Sequence, residues 1–387
     1  MTYEADPSHG ASAGRKPRAV MLSPTESQPR YHRRAAMLIE AGYDISVYHF
    51  QRGYYTQNTY PAPSDVTSLG NVAMGRWIRR IPRLVRAAAI IRKREKEQPA
   101  PALVYAFGLD MAMIARRALP RTTPLVFEVA DVLNPLPHMS VVSKLGAVAE
   151  RRMLRLCRAL VVTSPAFITD YFALMHPGIE DKTLVIENML ARDVAARFPR
   201  PDRTIAPNRP LRIGYIGLFK YEHCIQCLME AVARKGPQFQ LHFFGDGPSK
   251  HMVTNFVDQH SNLFYHGSFS SQRDIGNIYQ SVDVSYVVYD NHDPNVRMAL
   301  PNKLYESLYF GVPIIVAEDT YLATRVREAA CGLVVDPRKQ GFADEMLDRL
   351  DGDTLAACSR RALALDTRHM VERYDEVIPK LIALGKP

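Results

Sequence analysis

The sequence is poor in cysteine and lacks long apolar runs, and each lack excludes a class of protein. Its five cysteines among 387 residues, an odd and scattered set, do not form a disulfide framework. Cys224 and Cys227 form a CxxC pair inside a helical pattern without a second pair to complete a zinc site. We expect small buried thiols, with a redox or metal role as the minor alternative. No window reaches the roughly 20 apolar residues of a membrane-spanning helix.

Length and composition describe an ordinary globular chain of two domains. At 387 residues, with 47% hydrophobic and 23% charged residues, it exceeds the size of one ordinary core. Residues 1–16 are polar, rich in Gly, Ser and Ala, and lack the apolar core of a signal peptide. We therefore expect a disordered tail and a cytoplasmic protein. The segment 196–210 is dense in proline and arginine and is the predicted linker.

Apolar runs of strand length alternate with helical patterns in both halves of the chain. The predicted strands include RAVMLS, ISVYHF, LVYAF, LVFEV, LVVT and LVIE, and then RIGYI, QLHFF and the runs near residues 263, 284, 314 and 333. This order predicts two consecutive doubly wound α/β domains, over 17–195 and 211–366, each with a parallel sheet. Ligands of such sheets bind at the carboxyl ends of strands, so we expect the active site in the cleft between the two domains.

The stretch PNKLYESLYFGVPIIVA, Pro301–Ala317, carries the most specific chemistry. Asn302 is placed to cap a helix, and Lys303 near its N-terminus would favour a diphosphate. Glu306, three positions on, could accept hydrogen bonds from ribose hydroxyls. The alternative is a surface Lys–Glu pair worth a few tenths of a kcal/mol.

Two glycine loops precede this stretch. YIGLFK ends a predicted strand with Gly217 and Lys220, and FFGDGP follows the next strand with Gly245 and Gly247. Loops of this kind let a ligand approach the backbone, and a following helix N-terminus suits a phosphate. Plain structural turns are the alternative reading of both.

These motifs resemble the nucleotide-sugar signature of GT-B glycosyltransferases, especially the retaining family 4 and its relatives. The resemblance covers most of the chain: RYHRRAAMLIEAGYDISVYHF, LVYAFGLDMAMIARRA, LVFEVADVL, ALVVTSPAFITDYF, IENML, LRIGYIGLF and LHFFGDGP are similar to successive segments of that fold. It implies a GT-B fold of two Rossmann-like domains, an N-terminal domain that binds the acceptor, and a C-terminal domain that binds the donor. It also implies that a last helix, within 367–387, packs back on the N-terminal domain.

The resemblance implies donor-side roles, residue by residue. Glu306 would bind the ribose and Lys303 the phosphates, with Gly217 and Lys220 beside the diphosphate and the transferred sugar. The predicted donor set is Gly217, Lys220, Gly245, Gly247, Arg297, Asn302, Lys303, Leu304 and Glu306. The chain departs from the family at Met298, which stands eight positions before Glu306, where a second glutamate is common. It also departs from the family at Leu218, His223 and Ala130. The sugar and the stereochemical course therefore stay open.

Catalysis would require cations at the leaving diphosphate, for which Lys220, Lys303 and Arg297 are the candidates. An inverting enzyme would also need a base, and Asp131 and Glu128 are preferred, with capping or a buried hydrogen bond as their alternative role. In a retaining enzyme the leaving phosphate could take the proton instead. The predicted acceptor-binding residues are Arg30, Asp110 and His138. No metal or cofactor is expected. Structural roles are the first interpretation of His32, His223, His266 and His292.

The net charge of +9 is concentrated in two basic, apolar segments of the first half. GRWIRRIPRLVRAAAIIRKREK, residues 75–96, has nine basic residues around Trp77, and SKLGAVAERRMLRLCR covers 143–158. Such helices suit an anionic membrane surface, so we expect peripheral association with the inner face of the membrane. A core helix with a solvated basic face is the alternative, and Pro82 would kink the first segment.

The sequence thus predicts a metal-independent hexosyltransferase. It would move a sugar from a nucleotide-diphosphate sugar, UDP-sugar by preference, to a glycan or polyprenyl-diphosphate-linked oligosaccharide in cell-surface polysaccharide or exopolysaccharide biosynthesis. A sugar-nucleotide epimerase with the same fold and a non-catalytic GT-B-like binding subunit stay as alternatives. A nucleic-acid binder is disfavoured, because no recognition motif accompanies the charge.

Overall fold

The computed structural model describes residues 16–26, 28–51, 60–62, 64–71, 81–132, 141–203 and 210–385. The chain divides into two compact units. The first takes in the residues up to Glu128, Arg152–Ala159 and the residues from Asp375 on; the second takes in Val129–Arg151 and Leu160–Tyr374. The predicted His138 and Trp77 lie outside the described residues.

Within the residues that the structure describes, the first sheet has seven strands in the order β3-β2-β1-β4-β5-β6-β7. They are β1 (Arg18–Ser23), β2 (Asp44–Gln51), β3 (Ser64–Asn71), β4 (Leu103–Phe107), β5 (Leu125–Val129), β6 (Ala159–Val162) and β7 (Thr183–Val185). The register pairs are parallel, for example between β1 and β2 and between β1 and β4. Every residue of β4 and β5 is buried, which is typical of central strands in a parallel sheet.

Helices connect these strands, as the alternating pattern predicts. They are α1 (Pro29–Glu40), α2 (Ile81–Glu95), α3 (Gly108–Ala118), α4 (Val141–Leu156), α5 (Pro165–Phe167), α6 (Ala173–Met175) and α7 (Arg192–Arg197). The predicted helix over 166–174 is continuous in outline, but its middle, Ile168–Phe172, is a π-helix. The last helix, α16 (Val377–Leu384), contacts α1, and the Tyr43 hydroxyl donates to the Leu381 carbonyl at 3.3 Å.

The second sheet has six parallel strands in the order β10-β9-β8-β11-β12-β13. They are β8 (Leu211–Leu218), β9 (Phe239–Asp246), β10 (Leu263–Tyr265), β11 (Val284–Val287), β12 (Ile314–Ala317) and β13 (Gly332–Val335). The helices are α8 (Glu222–Lys235), α9 (Lys250–Val257), α10 (Ile275–Ser281), α11 (Pro294–Met298), α12 (Asn302–Phe310), α13 (Tyr321–Ala329), α14 (Phe342–Asp348) and α15 (Gly352–Ala364). Two hydrophobic clusters pack against this sheet. The prediction of two successive parallel α/β sheets is confirmed.

Three local features differ from the pattern. The edge strand β3 was not predicted, because its sequence SDVTSLGN is polar and mostly exposed and carries no strong strand signal. Pro82, which the sequence predicts to kink its segment, is the second residue of α2 (Ile81–Glu95). Arg200, in the predicted linker, donates to the carbonyls of Leu365 and Ala362. Among the described residues, no helix combines the length and apolarity needed to cross a bilayer.

Candidate functional site

The first turn of α12 gathers the polar residues that the sequence singles out. Pro301 occupies the N-cap position, and no side chain caps the helix, so the prediction that Asn302 caps it is wrong. Asn302 is instead the first helical residue, and its Nδ2 donates to Glu306 Oε1 at 2.5 Å. Proline at the cap position has no polar side chain to offer the first N–H groups. Asn302 therefore orients Glu306.

Lys303 and Glu306 form a buried ion pair within this turn. Lys303 Nζ lies 2.8 Å from Glu306 Oε2, and the two side chains are only 8% and 5% exposed. The alternative of a solvent-exposed surface pair is therefore wrong. The Tyr279 hydroxyl also donates to Glu306 Oε2 at 3.0 Å, and burial together with the neighbouring Glu306 raises the pKa of Tyr279 well above its usual value. A buried carboxylate that holds its charge needs partners of this kind.

The end of β8 lies against this turn. A Cβ built on Gly217 would be 3.6 Å from Lys303 Cε, an ordinary van der Waals distance. The ring of Phe269 lies 5.7 Å from Lys303 Nζ, within the range of a cation–π contact. The tertiary structure thus brings together Gly217 and Lys303, two of the predicted donor residues that lie far apart in the sequence.

Gly245 and Gly247 have a structural reason to be glycine. A Cβ on Gly245 would lie 1.9 Å from the Gly217 carbonyl oxygen, and one on Gly247 would lie 2.6 Å from the Phe219 nitrogen. Both residues also have positive φ, 142° and 155°. Backbone atoms of β8 and of Phe219, the residue that follows it, therefore leave no room for a side chain at either position, independently of any ligand.

A cavity of about 340 Å³ lies in the second unit beside the start of α12. Its lining includes Asp131, Lys220, Tyr221, Asp293, Asn295 and Pro301. Lys220 is about half exposed, and its Nζ is 3.9 Å from Asp293 Oδ2. Burial and then the nearby Asp293 and Asp131 carboxylates raise the pKa of Tyr221. The cavity lining therefore combines the Lys220 ammonium with the carboxylates of Asp131 and Asp293.

Asn295 holds the backbone next to Asp131. Its Oδ1 accepts from the Val132 N–H at 2.7 Å, and its Nδ2 donates to the Val132 carbonyl at 3.1 Å. Asp293 in turn caps α11 by accepting from the Asn295 N–H at 2.9 Å. Asn295, Asp293 and Tyr279 were not predicted as site residues. The Asp-Pro-Asn sequence did carry a capping signal for α11.

The structure also places the predicted donor residues Leu304 and Arg297, and Met298, the residue found where the family often has a second glutamate. Leu304 is 1% exposed in the hydrophobic core, and its N–H donates to the Pro301 carbonyl. Neither its side chain nor its N–H is therefore available to bind a nucleotide sugar. Arg297 is exposed, and its Nε donates to the Asn291 carbonyl at 2.7 Å. Met298 is buried at 5% exposure, so its position carries an apolar side chain in the interior.

Glu128 lies in a buried cluster of the first unit. Its side chain is 0% exposed and receives Arg34 Nε at 3.1 Å and the Tyr105 hydroxyl at 2.5 Å. Arg30 Nε lies 3.6 Å away. This arrangement favours the buried hydrogen-bonding role for Glu128 over that of a base, because a base must reach its substrate. Asp110 lies in the first turn of α3 with intermediate exposure.

Four of the five cysteines are buried, as predicted, whereas Cys227 has intermediate exposure. All five are free, and burial raises the pKa of the Cys224 thiol to about 12. A reactive thiol would need a lowered pKa. No group of three or more His, Cys, Asp or Glu that could hold a metal occurs among the described residues.

Residues 210–351 match the family model described as Glycosyl transferases group 1. The chain is 26% identical over 328 residues to the succinoglycan biosynthesis protein ExoL of Rhizobium meliloti (strain 1021), a match that covers 82% of this chain and 80% of ExoL.

Two solved structures share the fold. Anabaena HepE, determined in complex with UDP and glucose, has a TM-score of 0.64 at 15% identity, over 95% of this chain and 97% of HepE. WaaG, a glycosyltransferase involved in lipopolysaccharide biosynthesis, has a TM-score of 0.66 at 14% identity, over 95% of this chain and 99% of WaaG. The fold predicted from the sequence motifs is confirmed.

Proposed function

Because the chain has the GT-B fold and a group 1 glycosyltransferase domain over residues 210–351, we propose that it transfers a sugar from a nucleotide-diphosphate sugar to a glycan or lipid-linked acceptor. The observation that carries the proposal is the buried Lys303–Glu306 pair in the first turn of α12, inside the matched domain. The sequence similarity to ExoL, a succinoglycan biosynthesis protein, supports polysaccharide biosynthesis as the setting. UDP is the proposed nucleotide, as in the HepE complexes.

On the donor side, Glu306 accepts hydrogen bonds from the ribose hydroxyls. Its carboxylate is already oriented by Asn302 and Tyr279, so little entropy is lost when a ligand binds. Lys303 and the free N–H groups of the α12 N-terminus attract the diphosphate. Gly217 leaves this approach open because a side chain there would point at Lys303.

At the reacting centre, Lys220 in the cavity lining supplies positive charge. Lys220 is about half exposed on its wall and can follow the leaving diphosphate, which stabilises the developing negative charge. Asp131, exposed on the same cavity and fixed through Val132, is preferred over Glu128 as the group that contacts the acceptor hydroxyl. The reaction is proposed to need no metal, so activity should survive a chelator.

The acceptor side is proposed to lie near the membrane. The described parts of α2 and α4 expose Val85, Leu145 and Val148 at 52%, 58% and 64%, among arginines on both helices. Apolar side chains interleaved with cations fit an anionic bilayer surface. Co-sedimentation with anionic and with neutral vesicles tests this part, and equal binding to both would contradict the electrostatic contribution.

The donor proposal is tested by titrating the full-length protein with UDP-, GDP- and ADP-sugars and following sugar release. Saturable binding with slow release of free sugar is the expected result. Reversible conversion to an epimer would favour the epimerase alternative, and binding without any turnover on any acceptor would favour a non-catalytic subunit. No binding of any nucleotide contradicts the proposal.

Glu306→Ala identifies the site in the same titration. Loss of two hydrogen bonds to a charged group should weaken nucleotide binding by about 100-fold, roughly 3 kcal/mol. Glu345→Ala is the matched control, because Glu345 is an exposed glutamate on α14 in the same unit. Unchanged affinity in Glu306→Ala would refute the assignment of the ribose to this carboxylate.

A further inference from the structure

Asp293 lines the cavity of the second unit with one carboxylate oxygen engaged and the other without a hydrogen bond. As the N-cap of α11, it uses Oδ1 to accept from the Asn295 N–H at 2.9 Å. Its Oδ2 lies 3.9 Å from Lys220 Nζ, too far for a hydrogen bond, and accepts none from the residues that the structure describes. Because the cap fixes the side chain, Oδ2 is a pre-positioned acceptor.

The two ends of α11 differ in what they offer to a ligand. Met298, at the C-terminal end, is 5% exposed and carries no polar group. Asp293, at the N-terminal end, has a side chain that is 35% exposed and forms part of the cavity wall. The acidic group that this helix presents to the cavity therefore comes from its N-cap.

The apolar part of the cavity lining suits a sugar ring. The rings of Tyr221 and Tyr289 stack with their centroids 4.6 Å apart, and both residues belong to the wall. Val287, Ala317 and Leu322 add apolar surface. A sugar has apolar C–H faces and hydroxyl groups around its edge, so an apolar wall with a few fixed acceptors matches it.

The charges on the lining select against an anionic sugar. Among the described residues that line the cavity, the charged groups are the Lys220 ammonium and the Asp131 and Asp293 carboxylates, which leaves one net negative charge. These carboxylates would repel a carboxylate on the ligand, and like charges repel more strongly in a partly enclosed cavity than in water. A neutral hydroxyl instead donates to a carboxylate in a charge-assisted hydrogen bond.

We propose that this cavity holds a neutral glycosyl group of the donor, that Asp293 Oδ2 accepts a hydrogen bond from one of its hydroxyls, and that the same carboxylate excludes a uronic acid. The inference rests on the proposed function and adds the class of sugar to it. In that function Lys220 acts on the diphosphate and Asp131 contacts the acceptor. Asp293 is then the specificity-determining carboxylate for the transferred sugar.

The test measures the dissociation constants of UDP-glucose and UDP-glucuronate with the full-length protein by calorimetry. The two ligands share the nucleotide and the diphosphate, so the ratio of their constants reports on the sugar carboxylate. The native chain should bind UDP-glucose about tenfold more tightly than UDP-glucuronate. Asp293→Asn should reduce this preference by about fivefold, because the amide keeps the shape and the capping oxygen but loses the charge.

Two further variants separate capping from sugar binding. Asp293→Ser keeps a capping hydroxyl but has no second oxygen, so it should weaken UDP-glucose relative to UDP by about fivefold. Asp351→Asn is the matched control, because the exposed Asp351 caps α15 in the same unit by accepting from the Thr354 N–H at 2.8 Å. It should leave both ratios at their native values. Thermal unfolding of the three variants checks that they fold.

The failure of this inference is distinguishable from that of the proposed function. Equal binding of the two UDP-sugars by the native chain, tighter binding of UDP-glucuronate, or a preference that Asp293→Asn fully retains overturns the inference and leaves the proposed function standing. An unchanged ratio of UDP-glucose to UDP in Asp293→Ser refutes the hydroxyl contact. A native chain that binds neither UDP-sugar also overturns the inference, and if it binds no GDP- or ADP-sugar either, the proposed function falls with it.

Discussion

Each unit of the chain contains a buried glutamate, Glu128 or Glu306, that accepts from a tyrosine hydroxyl and contacts a cation, and these two clusters differ in what lies beside them. The Glu128 cluster consists of Glu128, Arg34, Tyr105 and Arg30, and the Glu306 cluster of Glu306, Lys303, Tyr279 and Asn302. In both, burial and the nearby glutamate raise the pKa of the tyrosine well above its usual value. The local chemistry is thus nearly the same.

The difference lies in the backbone that carries the carboxylate. Glu128 is in β5, a strand whose five residues are all buried, and its side chain is fully inaccessible. Glu306 is the fifth residue of α12, one turn from the helix N-terminus, and Gly217 leaves space beside its partner Lys303. A buried carboxylate in a strand interior stabilises the fold, whereas one at a helix N-terminus can also serve a ligand.

Glu128→Ala gives the largest expected effect. Removing this carboxylate leaves Arg34 buried without it, which should lower the free energy of unfolding by about 3–5 kcal/mol. Urea unfolding followed by circular dichroism measures the change, with the exposed Glu97→Ala as control. A variant of native stability whose kcat falls with an altered pH profile would instead make Glu128 the base.

Gly245→Ala and Gly217→Ala separate packing from ligand access in the glycine loops. The Cβ at Gly245 would collide with the Gly217 carbonyl and also require positive φ, so a loss of about 3 kcal/mol or more is expected. Gly217→Ala carries only the backbone strain, about 1–2 kcal/mol, but places a methyl group in contact with Lys303, where it should hinder the diphosphate and weaken UDP binding. Thermal unfolding and UDP titration of both variants test these two expectations. Equal stabilities of the two variants would contradict the packing argument.

Tyr105→Phe and Tyr279→Phe are a matched pair for the two clusters. Each removes one hydroxyl donor from a buried glutamate and should cost about 1–2 kcal/mol of stability. Only Tyr279→Phe should also weaken UDP binding, by severalfold, because it loosens Glu306. If Tyr105→Phe weakens UDP binding as much, the separation between a structural and a ligand-binding cluster is wrong.

Lys220→Gln should have the smallest effect on stability. Its side chain is about half exposed and its nearest carboxylate, Asp293, is 3.9 Å away, so a change within about 0.5 kcal/mol is expected. If Lys220 acts on the leaving diphosphate, kcat falls while UDP affinity changes by less than tenfold. Unchanged kcat would remove Lys220 from the proposed mechanism.

The contact between Lys303 and Glu306 could be predicted because its signal is local. The (i, i+3) spacing of Lys303 and Glu306 at a helix start is readable from PNKLYE, because helical geometry alone brings such residues together. Prediction failed where contacts are long-range. Leu304, beside Lys303, faces the core, and Tyr279 reaches Glu306 from another helix.

The order of strands and helices, the parallel α/β class and the position of the Lys303–Glu306 pair at a helix start were determined by the sequence alone, since these follow from periodicity and short-range spacing. Tertiary structure decided which carboxylate is enclosed and which glycine touches backbone. Glu128 and Gly245 owe these properties to Arg34 and Gly217, whose proximity depends on how the strands and helices pack. Burial and close contact are sums over neighbours that are distant in the sequence, and no local pattern records them.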